Sequence, residues 1–162
     1  MIVVSDTTPL ISLLKIGRLD LLQKLFGEVH VPRAVFAELT QNPRFTEEAE
    51  QVRSCPFLTV AAASEERVRG IIAETGLDLG ESEAIVLAES LGANLTLIDE
   101  IRARAVAKER GLRITGTVGI LDRAFRLKYL TTEETRRCAE ALRASGRYIS
   151  GGLLDGLLAA LH

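Results

Sequence analysis

Short apolar runs recur along this chain between longer stretches of helical periodicity, and that alternation constrains the fold more than any other feature. Ile2-Val3-Val4 reads as a buried strand, and "EVHV", "LTVAA", "NLTLI" and "LRIT" read as further short strands. Strands separated by helices cannot pair as tight hairpins, so each connection must cross over and the sheet must be covered on both faces. The expected fold is α/β: three layers, α/β/α, around a central, mostly parallel sheet, in one domain spanning residues 1–162.

The helical stretches carry their own start and stop signals. Pro9 suits a first helical turn, and "LISLLKIGRLDLLQKLF" has helical spacing with a break at Gly17. Pro32 is placed to begin a helix through "RAVFAELTQ". "NPRFTEEAEQVRSCPF" predicts a loop with a short helix. "SEERVRGIIAET" opens with Ser64 and with Glu65 and Glu66 in its first turn. "LGESEAIVLAESLGA" predicts a strong helix that stops near Gly92, "EIRARAVAKERG" one closed by Gly111, and "TVGILDRAFRLKYL" another. Thr131 and Glu134 form a cap signal before "RRCAEALRAS". In the terminal "SGGLLDGLLAALH", Leu153, Leu154, Leu157, Leu158 and Leu161 share one stripe, suited to packing on the chain's own core or on a partner helix.

Composition removes several classes. At 47% hydrophobic, the 162 residues can bury a sizeable core, and 26% charged is not the balance of a disordered chain. No apolar run reaches the roughly 18 residues of a spanning helix, and the start lacks a signal-peptide pattern, so the expectation is a cytoplasmic protein with no membrane partner. Cys55 and Cys138 are expected as free thiols, and with His30 and His162 they match no familiar zinc spacing. The net charge of −2 hides an asymmetry: residues 1–100 hold 8 basic and 16 acidic side chains, residues 101–162 hold 12 basic and 6 acidic. Such a division suits a cation site beside a phosphate-binding wall, or two solvated surfaces.

Several acids are candidates for a site. In open α/β sheets, sites gather beyond the carboxyl ends of strands, where Asp6 and Asp99 both fall. Glu38 shares a helix face with Ala34 and Val35, and an acid on an apolar stripe needs a partner or a metal unless it reaches solvent. Glu81 and Glu83 open the most apolar helix, where acids also complement the helix dipole. Two residues apart, they point to nearly opposite sides, and periodicity does not choose between them. Carboxylates converging without histidine or cysteine favour a hard cation, Mg²⁺ or Mn²⁺. Such ions activate water and stabilise the charge that grows on a phosphodiester under in-line attack.

The stretches "VVSDTTPLI", "VHVPRAVFAEL", "LDLGESEAIVLAESLGANLTLIDE" and "ARAVAKERGLRITGTVGIL", in this order and spacing over residues 2 to 121, resemble the PIN-domain nucleases, in particular the prokaryotic branch related to toxins of toxin–antitoxin pairs. The resemblance implies a metal-dependent ribonuclease with RNA as substrate, Mg²⁺ or Mn²⁺ as cofactor, an antitoxin protein as a partner, and a homodimer. It places the family's acids on Asp6, Glu38, Glu81 and Asp99, with Glu83 as a second candidate for the third position. Ser5 and Thr7 fall where small polar residues support the metal shell. Arg102, Arg104 and Lys108 follow Asp99 on a helix and are candidates for RNA phosphates, with Thr7 as a further substrate contact. The chain departs from the family pattern in having Glu at the third position, Ile98 where Ser or Thr is frequent, and "DEIRAR" where Asp-x-x-Phe is frequent.

Other readings compete. "IVVSDTTPL" is similar to the opening of haloacid-dehalogenase-like phosphohydrolases, but Thr8 replaces the second Asp that would be the general acid. A receiver domain wants a Lys after a late strand, and "LRIT" is followed by none. The non-enzyme alternative is a PIN-like binding or dimerisation module that uses the leucine stripe.

Overall fold

The structure, a computed structural model, describes residues 1–146 and 151–161. Residue 150, at the head of the terminal stretch, and His162 lie outside them. The element order is β1 (Val3–Ser5), α1 (Thr7–Lys15), α2 (Asp20–Phe26), β2 (Val29–Pro32), α3 (Arg33–Gln41), a 3₁₀ turn (Pro43–Phe45), α4 (Thr46–Arg53), β3 (Leu58–Ala61), α5 (Glu65–Thr75), α6 (Leu79–Leu91), β4 (Leu95–Leu97), α7 (Ile101–Glu109), β5 (Ile114–Thr115), α8 (Thr117–Arg126), α9 (Thr132–Ala144) and α10 (Gly151–Ala159).

The five strands form one sheet in the order β3-β2-β1-β4-β5, and every pairing is parallel. From β1 the chain builds outward to β2 and β3, then returns to β1's other side with β4 and β5. The order therefore reverses between β1 and β4, the switch point at which doubly wound sheets open a crevice.

Alternation along β1 sends neighbouring side chains to opposite layers. Val3 packs with Leu10, Ile11, Leu13, Val35 and Leu39 of α1 and α3. Val4 packs with Ala84, Leu87 and Ala88 of α6. Small residues there let α6 lie close across β1, β2 and β4. A third cluster joins α5, α6 and α7, and a fourth joins α8, α9 and α10 around Leu121, Leu142, Leu154 and Leu157. The leucine stripe thus packs on this chain: Leu154, Leu157 and Leu161 are buried, and only Leu153 of the five turns fully out, at 56% exposed. Cys55 and Cys138 are free thiols. Among the described residues, no helix is long and apolar enough to cross a membrane.

The cap signals hold at several ends. Gly92 and Gly111 take positive φ after α6 and α7, the conformation that favours glycine. Thr131 and Glu134 exchange hydrogen bonds at the start of α9. The polar stretch after α3 is more regular than a loop, because Asn42 accepts from the Arg44 N–H and Phe45 is buried, so a 3₁₀ turn leads directly into α4.

Candidate functional site

Asp6 is the residue after β1 and the N-cap of α1. Its backbone N–H donates to the Leu97 carbonyl at 3.0 Å, which ties it to the end of β4. The site therefore sits at the carboxyl ends of the two strands that flank the switch point. Asp6 is only 4% exposed, and its carboxyl is pushed up from 3.8 to about 7. Burial is the largest cause, the Thr7 N–H pulls it back in part, and the charges of Glu81, Asp78 and Glu38 raise it further.

Those three acids arrive from different elements. Glu38, on the exposed side of α3, accepts from the Thr7 hydroxyl at 3.0 Å. Asp78 and Glu81 form a reciprocal capping box at the start of α6: the Glu81 N–H donates to Asp78 Oδ1 at 2.7 Å, and the Asp78 N–H donates to Glu81 Oε1 at 3.1 Å. Burial, followed by its acidic neighbours, raises the Glu81 carboxyl above its ordinary value. Gly80 separates the cap from Asp6. A Cβ there would lie 3.7 Å from both Asp6 Oδ1 and Asp78 Oδ1, so the missing side chain leaves open the space between the two carboxylates.

Asp6, Thr7, Thr8, Glu38, Arg44, Phe45, Asp78, Glu81 and Glu100 line one polar cavity of about 210 Å³. Three of the acids expected from the sequence, Asp6, Glu38 and Glu81, share it. Asp99 does not line it. Its two oxygens accept from the Thr117 N–H at 2.7 Å and the Thr117 hydroxyl at 2.6 Å, and so hold the first turn of α8. The carboxylate lies against Gly116, where a Cβ would stand 2.4 Å from Asp99 Oδ1. Glu83 faces elsewhere: its Oε1 accepts from the Ala34 N–H at 3.1 Å, capping α3 from a neighbouring helix. Of the two glutamates, Glu81 lines the cavity and Glu83 does not.

The expected phosphate contacts are also placed. Arg102 donates to the Thr75 carbonyl at 2.8 Å and Arg104 to the Ile98 carbonyl at 2.8 Å, so each guanidinium commits an arm to the backbone. Lys108 is exposed near the far end of α7, away from the cavity lining. Ser5 donates its hydroxyl to the Asp6 carbonyl at 2.8 Å.

Sequence reasoning passed over Asp78, Glu100 and Arg44. The Asp-x-x-Glu spacing of Asp78 and Glu81 is a legible capping box. Glu100 follows Asp99 directly, and the turn into α7 presents it to the cavity instead. Nothing local marks Arg44, because only the fold of the α3–α4 connection brings it there.

The chemistry of the lining suits a hard cation: oxygen donors, one of them buried and raised, around an open space. Among the described residues, no three acidic, histidine or cysteine side chains stand close enough to hold one ion as they are placed.

A doubly wound parallel sheet with an acid-lined crevice at its switch point defines the class of this protein. The chain belongs to the PIN-domain superfamily: the DUF3368 family model, described as a PIN domain, matches residues 2–162. PIN domains are generally nucleases and generally use divalent metal ions. Compared with curated proteins, the chain has no match.

Proposed function

We propose that this protein is a metal-dependent endoribonuclease in which Asp6, Glu38 and Glu81 hold Mg²⁺ or Mn²⁺. The observation that carries the reading is the convergence of these three acids, from β1, α3 and α6, on one polar cavity at the switch point. An acid as buried as Asp6, set among other acids, is costly to ionise alone, and a cation offsets that cost. Asp6 follows β1 directly and is tied by its backbone to the end of β4, whereas Glu38 and Glu81 have longer side chains that would reach an ion by a change of rotamer. When bound, the ion supplies Lewis acidity and activates water.

The chain's own groups do the rest. Thr7 orients Glu38 through its hydroxyl. Asp78 and Glu100 add negative charge that holds a divalent ion against dissociation. Asp99 fixes the start of α8 beside the end of β4 through Thr117. With 4% aromatic residues, base stacking is limited, so recognition runs through the backbone of the strand. The role of a toxin, with an antitoxin partner and a homodimeric state, rests on the resemblance of the sequence motifs alone.

Incubating the purified protein with single-stranded RNA and Mn²⁺, beside Asp6→Asn prepared identically, tests the reading. Cleavage by the parent alone supports it. Equal cleavage by both identifies a contaminant, and cleavage by neither leaves a binding module as the better description.

A further inference from the structure

We propose that Arg44 binds a phosphate of the nucleic-acid strand at this cavity, a role that rests on the nuclease reading above. Arg44 is the only cation among the described residues that line the cavity, and five of the other lining residues are acids. A structural arginine in that company would pair with one of them, yet its guanidinium has no hydrogen bond or ion pair with any described residue. Its backbone N–H donates to Asn42 Oδ1, at 3.0 Å.

The backbone that carries it is nevertheless firmly held. Pro43 begins the 3₁₀ turn, Asn42 caps it, the Phe45 N–H donates to the Asn42 carbonyl at 2.9 Å, and the Phe45 ring is 6% exposed. The turn fixes where this side chain starts, and its unbonded guanidinium is available to an incoming ligand. The ligand must be anionic, oxygen-rich and able to enter a cavity whose acids repel anions. A phosphodiester drawn in by a cation held on those acids meets each condition, and the planar fork of Arg44 matches two of its oxygens. The basic residues of α7 are less available. Arg102 and Arg104 already bond backbone carbonyls, and Lys108 is away from the lining.

Two arms test the assignment. In the first, a fluorescent single-stranded RNA is titrated against the parent and against Arg44→Ala, with Ca²⁺ in place of Mn²⁺ so that the acids keep a hard cation while cleavage is held back, over a series of salt concentrations. Loss of one phosphate contact should weaken binding about tenfold and reduce the slope of log affinity against log salt by about 0.7. In the second, the parent, Arg44→Ala and Arg44→Lys are compared in cleavage with Mn²⁺. The expected result is a fall in kcat/KM of about 10²-fold for Ala, partial recovery by Lys, and rescue of Ala by added methylguanidinium, while Mn²⁺ binding by calorimetry is not weakened. Unchanged RNA affinity and salt slope in the first arm overturn the proposal. If the parent does not cleave, the nuclease reading falls and the binding arm still decides the role of Arg44. If the parent and Arg44→Ala cleave alike, the nuclease reading stands and the assignment of Arg44 falls.

Discussion

Asp6→Asn should flatten the pH dependence of stability in the metal-free protein. The folded chain keeps the Asp6 proton up to about 7, whereas the unfolded chain loses it near 3.8. Between those values the native state binds more protons, so stability falls as pH rises and levels off above about 7. A shift of this size corresponds to roughly 4 kcal/mol across the window. Asn keeps the shape and accepts the same Thr7 N–H, but it carries no charge. Urea unfolding in EDTA, from about pH 4.5 to 8, should show the parent losing several kcal/mol relative to Asp6→Asn, with the variant the more stable at the alkaline end. Added Mn²⁺ at the alkaline end should then stabilise the parent and leave the variant unchanged. Parallel stability curves for the two proteins would refute the claim that burial among acids holds this carboxyl protonated.

Glu83→Gln and Glu81→Gln should separate two glutamates that the helix period leaves equivalent: calorimetry should find Mn²⁺ binding kept in the first and weakened at least tenfold in the second. Gly116→Ala should destabilise the fold by about 1–3 kcal/mol in urea titration, because its Cβ would stand 2.4 Å from Asp99 Oδ1 and 3.3 Å from the Ile98 carbonyl. Lys15→Met should cost about 2 kcal/mol or more, because it strips the partner from Glu48, which is 5% exposed. Replacing Glu48 by Leu in the same chain should recover most of that loss.

How much of this was legible in advance depends on the range of the interaction involved. The order of strands and helices was, because apolar periodicity, prolines at helix starts and glycines with positive φ act within a few residues of themselves. The same alternation pointed to a mostly parallel sheet, because helical connections carry the chain back to start the next strand in the same direction, and every pairing is parallel. Asp6 was marked by its place directly after an apolar run, whereas the apolar-stripe argument for Glu38 fails, because its side chain lies on the exposed side of α3.

Tertiary structure decided which carboxylates meet. Glu81 and Glu83 differ locally by only two positions, yet the packing of α6 against α3 gives one to the cavity and the other to the Ala34 N–H. Asp99 and Glu100 are adjacent in sequence, but the start of α8 takes the first, through Thr117, and the cavity takes the second. Arg44 reaches the acids only because a capped 3₁₀ turn replaces an irregular loop. Local chemistry therefore determined the elements of this protein, because backbone and capping forces act over one turn. The composition of the site was decided by packing, because carboxylate desolvation and pairing depend on neighbours tens of residues away.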